Sequence, residues 1–483
     1  MNDLKTPGVY VEEIPKLPRS VAGAPTAVPA FIGVTEKCPD QMESIPVKVV
    51  SLLDYESKFG VSCPLTVDAD GKLKGNEYVL YDSIRLFFDN GGSYCYITSI
   101  GLYSNDKRDF TTCLENVGAI DEITILLAPD AASLLSVSEL GNVHKKLLNH
   151  CDVLKDRIAI LDVKCTNDID NDMDVFRNSV GQNALCYGAA YYPYLITSFK
   201  KDIDITEAIK NEAIKALFSS NEISSIESLV KEDDAEYENE LDNELDDENK
   251  PVTAQQNGID LSTPAAIEQF RKKMIAKPGY SELVEKLVGP ANCIPPSGAI
   301  AGVYCANDAR IGVWKAPANV SLVSVFDVSK RISDIQQQNI NVDSANGKSV
   351  NAIRVFQGKG VLVWGARTLD GFSSEWRYVS VRRLFNYVEE SVQDATSWAV
   401  FQPNDSNTWI NVRCQIENFL SNLWRNGALA GATPEEAFFV NVGLNVTMTP
   451  QDIIDGKMIV EIGMAPVRPA EFIVLQFSHK VQE

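Results

Sequence analysis

The sequence is poor in histidine, in clustered positive charge and in long apolar runs. Three histidines serve 483 residues: His144, His150 and His479. His144 and His150 stand six apart in "VSELGNVHKKLLNHCDVL", which reads as one helix, so they face opposite sides and are poor co-ligands. A histidine metal cluster or a Ser-His-Asp relay is thinly supplied. No G-x-x-x-x-G-K-[ST] loop, G-x-S-x-G elbow or G-x-G-x-x-G turn occurs. "QGKGVLVWG", with Gly358, Gly360 and Gly365, leads into a strand and reads as a turn. None of the ten cysteines forms a C-x-x-C pair. Most lie in strand-like text such as "SYCYITSI" and read as buried free thiols of a reducing compartment. The longest apolar stretch, residues 184–196, has 13 residues and includes Pro193, too short to span a bilayer. A signal peptide's basic-then-apolar start is missing, so a cytoplasmic origin is expected. These absences nominate no catalytic residue, cofactor or metal ligand, and no direct membrane insertion.

Positive charge is outnumbered. Acids number 66 against 44 Lys and Arg, for a formal charge of −22. Residues 232–248, "EDDAEYENELDNELDDE", hold eleven of those acids and no base, and setting them aside leaves −11. A nucleic-acid partner is not expected, because phosphate contacts need clustered Lys and Arg, and exposed stacking aromatics are missing too. The acidic run has few apolar side chains to bury, so it reads as a flexible solvated loop or as a docking tail for a basic partner.

What is present is ordinary globular material. Hydrophobic residues make up 45% and charged residues 23%, and the length suits two to four domains. Apolar runs alternate with helical patterns. "AFIGVTE", "SYCYITSI", "EITILLAPD", "RIAILDV" and "NALCYGAAYYPYLI" read as strands, and "LLAPD" as a strand ending in a Pro-Asp turn. "VLYDSIRLFFDNGG" reads as a helix stopped by "NGG". The fold class is therefore mixed α/β, with a mostly parallel sheet covered on both faces. Later, Val381, Leu384, Phe385, Val388, Val392 and Ala395 form the stripe of one amphipathic helix, and Val412, Ile416, Phe419, Leu420 and Leu423 that of the next, with Gly427 as a stop. "TPEEAFFV" starts a short helix, and Met458, Val460, Ile462 and Met464 alternate as a half-buried strand.

Both ends carry strand text. "TPGVYVEEIPKLP" holds a short strand between Pro7 and Pro15, followed by a proline-rich spacer over residues 16–29. Its seven residues span about 23 Å at roughly 3.3 Å each. At the far end Ile473, Leu475 and Phe477 share one face of "AEFIVLQFSHK", and Phe472 and Val474 the other. Such strands pair within their own chain or add to the sheet of another.

The segments "TPGVYVEEIP", "AFIGVTEKCP", "FFDNGGSYCYITSI", "YYPY", "PPSGAIAGVYCANDARIGVWKAPAN", "GVLVWGARTL", "EWRYVSVRRLFNYVEESV", "WAVFQPND", "GALAGATPEEAFFV" and "APVRPAEFIVLQF" occur in an order that resembles the contractile tail sheath family. That family comprises the sheaths of contractile phage tails, R-type pyocins and extracellular contractile injection systems. The resemblance implies a multidomain sheath fold: an N-terminal linker arm (residues 1–25), outer α/β domains (26–294), an inner tube-facing domain (295–464) and a C-terminal arm (465–483). The family places "YYP" close to "PPSG", so the distance between them here implies a surface insertion at about 198–290 that contains the acidic loop 232–248. The implied function is structural and not enzymatic. Subunits polymerise as stacked six-fold rings around an inner tube, and contraction drives the tube through a target envelope. The implied partners are other copies of the chain, the tube protein, and baseplate and terminal cap proteins. Assembly is expected in the cytoplasm, within a phage tail or phage-tail-like particle that is then released or anchored. Val9, Tyr10, Val11 and Glu12, with Phe472, Ile473, Val474, Leu475 and Phe477, are the implied inter-subunit strands. Hinges are expected at residues 16–25 and 465–469. Arg382, Arg383, Arg413 and Glu417, on the charged faces of the two late helices, are the candidate tube contacts. A type VI secretion-like sheath, built from a two-protein subunit, and a metabolite-binding α/β enzyme are the alternatives.

Overall fold

The computed structural model describes residues 21–39, 42–67, 73–103, 109–166, 168–199, 201, 289–343 and 346–473. Val9, Tyr10, Val11, Glu12, Val474, Leu475, Phe477 and the acidic run 232–248 lie outside the described residues. The chain divides into two compact units. The larger takes Ala27–Ala306 and Pro317–Arg377, the smaller Met1–Thr26, Asn307–Ala316 and Tyr378–Glu483.

The strands of the larger unit are, in chain order, β1 (Pro29–Thr35), β2 (Val47–Val49), β3 (Thr66–Val67), β4 (Leu73–Lys74), β5 (Cys95–Leu102), β6 (Ile125–Leu127), β7 (Ile158–Asp162), β8 (Gly188–Tyr192), β9 (Leu195–Thr197), β10 (Cys293–Ile294), β11 (Val320–Ser321), β12 (Val325–Val328), β13 (Asn351–Phe356) and β14 (Gly360–Val363). The main sheet runs β11-β14-β13-β8-β7-β6-β1-β5-β2 among the described residues. Its centre, from β13 to β5, is parallel. The outer strands β2, β14 and β11 pair antiparallel. β9 lies between β10 and β12 in a small second sheet, and β3 pairs with β4.

Burial explains the apolar runs. Every residue of β1, β6, β7 and β8 is buried, as expected of parallel strands covered on both faces. Ile32, Leu126, Leu161 and Ala190 share one core with Leu147, Leu148, Met173 and Phe176. Those last four come from the helices Val137–Leu154 and Ile169–Ser179. The first of these helices opens on a capping box between Ser136 and Glu139. In the other direction Phe31 of β1 meets Phe87 of the helix Leu80–Asp89 edge-on, with ring centroids 5.5 Å apart. The Tyr191 hydroxyl bonds that of Tyr304, on the helix Ser297–Arg310, at 2.8 Å. A Cβ on Gly298 or Gly302 would run into the carbonyls of Ser83 and Phe87, so these helices meet backbone to backbone. The Pro-Asp expected to form a turn after β6 instead opens the helix Pro129–Leu134, with Pro129 in its first turn.

The smaller unit contains the helices Val379–Thr396 and Ser406–Arg425 and the hairpin β15 (Phe438–Val442) and β16 (Val460–Met464). Leu384, Val388 and Val392 pack against Val412, Ile416, Phe419, Leu420 and Leu423, and Met458, Val460, Ile462 and Met464 close over them. Phe385 and Ala395, expected on the same stripe, are only half-buried. Gly427 stops the second helix at φ 83°, while the Ala428 N–H reaches back to the Leu423 carbonyl at 3.0 Å.

Candidate assembly interface

The parallel sheet offers one place where ligands often bind: the crevice at the carboxyl ends of two neighbouring strands whose connections leave in opposite directions. Here that place lies between β1 and β6, since the chain leaves β1 toward β2 and β5 but leaves β6 toward β7. The side chain of Asp130 fills it. Oδ2 accepts the Val34 N–H at 2.8 Å, and Oδ1 accepts the N–H groups of Val79 and Leu80, each at 2.8 Å. A Cβ at position 33 would strike this carboxylate, so Gly33 lets it approach the strand. The donors that would cradle an anion are committed to the chain's own acid. His144 is likewise structural. It is buried edge-on to Phe176, and burial pulls its pKa down to about 3, leaving a neutral ring. None of the ten cysteines is in a disulfide. Among the described residues no group of three or more His, Cys, Asp or Glu could hold a metal ion, and no helix is long and apolar enough to cross a membrane.

A second buried acid titrates. Asp162, at the end of β7, accepts the Ser297 N–H at 2.9 Å and the Ser297 hydroxyl at 2.5 Å. Burial pushes its pKa up to about 7, and the two hydrogen bonds from Ser297 offset this only in part. Its folded pKa lies above the unfolded value of about 3.9, so folding takes up a proton between those values. The group's contribution to stability is complete below about pH 4 and is lost as pH rises through 7. Asn in its place imitates the protonated acid, accepting from the Ser297 N–H and donating to the hydroxyl. Thermal unfolding of Asp162→Asn should therefore lack the decline that the parent shows between about pH 4 and 7. Parallel profiles would contradict this assignment.

The four candidate tube contacts fall into two classes. Arg382 and Arg383 are buried and do not form an open charged face. Arg382 donates to Asn386 Oδ1 at 2.7 Å and Glu389 Oε1 at 3.1 Å. Arg383 grips Asp308 with both terminal nitrogens, at 3.1 and 2.6 Å, and donates to the Thr26 carbonyl at 2.7 Å. The reason is partner supply, since each guanidinium finds acceptors within the unit and so can be buried. Arg413 and Glu417 remain at the surface as an i,i+4 pair at 2.7 Å, 53% and 35% exposed. Phe472 and Ile473, the described members of the expected closing strand, are highly exposed and in no strand.

The hairpin is where the smaller unit is unfinished. β15 and β16 pair over five residues each, and no further strand joins them among the described residues. A two-stranded sheet is marginal by itself; just past β16 the Ala430 N–H bonds the Ala465 carbonyl at 2.8 Å and the Val467 N–H the Ala428 carbonyl at 3.2 Å, so residues 428–430 pair only with its continuation. Apolar side chains are left in water around it: Phe439, Val446, Ile454 and Ile459. Alongside runs an open groove of about 800 Å³ whose lining includes Val400, Phe401, Met458 and Val460. Phe401 stands fully exposed at a left-handed φ of 64°, a conformation that costs a non-glycine residue energy.

The chain is similar to known proteins along much of its length. Residues 249–369 match the model of the phage tail sheath protein central domain, and residues 373–480 that of the phage tail sheath C-terminal domain. A tail sheath protein of Vibrio phage KVP40 is 25% identical over 185 residues, 38% of this chain. The chain spans only about a quarter of the length of that relative and of the tail sheath protein of Enterobacteria phage T4, 26% and 27% respectively. Among solved structures, the sheath complex of the extracellular contractile injection system PVC, in its contracted state, is 30% identical, with 99% of this chain and 98% of that one covered and a TM-score of 0.63. The helical sheath of the anti-feeding prophage, also contracted, is 29% identical with 99% of both chains covered and a TM-score of 0.64. With an end-to-end relative at that identity, and sheath-domain matches over most of the chain's second half, this chain belongs to the contractile tail sheath family.

Proposed function

We propose that the chain is the structural subunit of a contractile sheath. Copies stack as six-fold rings around an inner tube, and re-packing of the rings drives the tube through a target envelope. Free energy is held as the difference between two subunit packings, and rigid bodies turn about short connectors. The observation that carries this reading is the unfinished β15–β16 hairpin. Strands donated by neighbouring copies, residues 8–14 from one and 472–477 from another, extend its open edges and cover its exposed apolar side chains. The likeness to chains solved in contracted sheaths and in the baseplate of the anti-feeding prophage supports sheath and baseplate contacts. Tube and terminal cap contacts, and assembly in the cytoplasm, follow from the same reading. In it residues 295–464 supply the inner, tube-facing domain, residues 26–294 face outward and carry the insertion at about 198–290, and the terminal arms link subunits. Negative-stain microscopy of the purified chain tests the proposal. Tubes or stacked rings are expected, and compact single particles at every concentration would overturn it.

The tube-facing charge narrows to Arg413 and Glu417. Arg413→Glu should leave polymers intact, because an exposed i,i+4 pair is worth only about 0.3–0.5 kcal/mol. It should reduce co-sedimentation of tube protein severalfold. Unchanged co-sedimentation would remove this face from the interface. The same reversal at Arg382 or Arg383 is uninformative, since it would strand a buried charge.

A further inference from the structure

We propose that residues 22–26 are the load-bearing seat of the leading arm, held on one stripe of the helix Val379–Thr396. Three helix residues four apart, Arg383, Tyr387 and Ser391, share a face, and each touches this short segment. Arg383 Nη2 donates to the Thr26 carbonyl at 2.7 Å. A Cβ at Gly23 would collide with the Tyr387 hydroxyl, so the backbone lies directly against that ring. The Ala24 N–H donates to Ser391 Oγ at 2.9 Å. Ala22 to Pro25 then continue past Asp394, Ala395 and Gln415, which line an open recess beside them. The segment therefore runs antiparallel to the helix and leaves toward its C-terminal end.

The strongest grip is also the best braced. Arg383 is fixed from behind by Asp308, with side chains only 3% and 6% exposed. The guanidinium thus reaches Thr26 from a locked position. A pull along the arm loads the Thr26, Gly23 and Ala24 contacts together, in shear, so they must fail together. Arg383 is accordingly a positioning residue for the arm. The hinge expected over residues 16–25 shortens to residues 16–21, because the remainder is seated. This inference rests on the sheath reading for its purpose, though the seat itself can be tested without it.

Two variants address the seat from opposite sides. Arg383→Met with Asp308→Leu replaces the buried pair by apolar groups of similar size, a change often neutral for folding. Gly23→Asn with Ser391→Ala lifts the segment without touching the ion pair or adding a site for elastase. Elastase, which cuts after small aliphatic residues, should cleave the unassembled parent slowly at Val21 and Ala22. It should cleave both variants at least about tenfold faster, with unfolding midpoints little changed, because local opening alone exposes the bonds. Variant sheaths should assemble, then fragment when contraction is induced with mild denaturant, while parent sheaths keep their length. Equal cleavage of parent and variants would overturn the seat. Intact contraction of variant sheaths would overturn its load-bearing role. A parent that forms no tubes at all would instead count against the sheath reading, and the cleavage comparison would still judge the seat.

Discussion

A chain lacking residues 1–15 is expected to remain soluble and folded yet to form no sheath. The magnitudes explain why the loss should be complete. A seven-residue strand added to an open edge makes about six backbone hydrogen bonds at roughly 1 kcal/mol each. Burying two or three of its apolar side chains adds about 1.5–3 kcal/mol apiece. Ordering its backbone costs about 1–2 kcal/mol per residue. One arm therefore comes close to break-even, and on the strand-exchange proposal the polymer holds because several linkages act at once on each subunit. Removing one kind of arm takes that linkage from every subunit. Deleting residues 472–483 should have the same effect from the other side, since it removes exposed Phe472 and Ile473 with the rest of the proposed closing strand. Electron microscopy of each truncation decides the matter, with scattering and thermal unfolding to verify that the units still fold. Long tubes from either truncation would sink strand exchange.

Asp130→Ala should lower the unfolding midpoint of the larger unit by roughly 10 °C or more. Its carboxylate is the acceptor for the buried N–H groups of Val34, Val79 and Leu80. Each orphaned donor costs about 1–3 kcal/mol, so the three together cost about 3–9 kcal/mol. At about 2–4 °C per kcal/mol for large domains, the middle of that range gives a shift of roughly 10–25 °C. Asp130→Asn should lie between, because one amide oxygen can serve some of the three donors while its NH₂ opposes the rest. Calorimetry measures both, and a shift under 2 °C for the alanine variant would show that water substitutes for the carboxylate. The N–H groups at the carboxyl ends of β1 and β6 that could meet a ligand's anion are thus already held by this side chain.

Local sequence exposed what local physics controls. β1, β6, β7 and β8 were legible because strands buried on both faces must be apolar throughout. The helix Val137–Leu154 was legible as helical text, and the structure adds the Ser136–Glu139 capping box at its start. Long-range partners were not legible. Asp130 looks like any acid in a turn until Val34, 96 residues away, presents its N–H. Arg382 and Arg383 sit beside an apolar stripe, so periodicity assigns them to the charged face. Only Asp308, 75 residues upstream, reveals why Arg383 is inside. Likewise β13, β14 and β11 complete a sheet begun some hundreds of residues earlier, and nothing in their own text names that neighbour. Of the hairpin only β16 was legible as a strand; "TPEEAFFV" reads as the start of a helix, but the helix ends at Ala437 and β15 begins at Phe438, and that no third strand joins them among the described residues is a property of the fold.

The discontinuity of the smaller unit also sets a schedule for biosynthesis. The Thr26 carbonyl and the Arg383 side chain that holds it are 357 positions apart. At ribosomal speeds of about 5–20 residues per second, the second emerges roughly 20–70 s after the first. By then the last strand of the main sheet, Gly360–Val363, has already left the ribosome. The larger unit can therefore close while its chain is still being made. The hairpin of Phe438–Val442 with Val460–Met464, which the strand-exchange proposal makes the acceptor, is translated only after that. On that proposal nascent chains crowded on one messenger cannot accept one another while the larger unit is being made, and competence to polymerise comes later than folding of the main sheet.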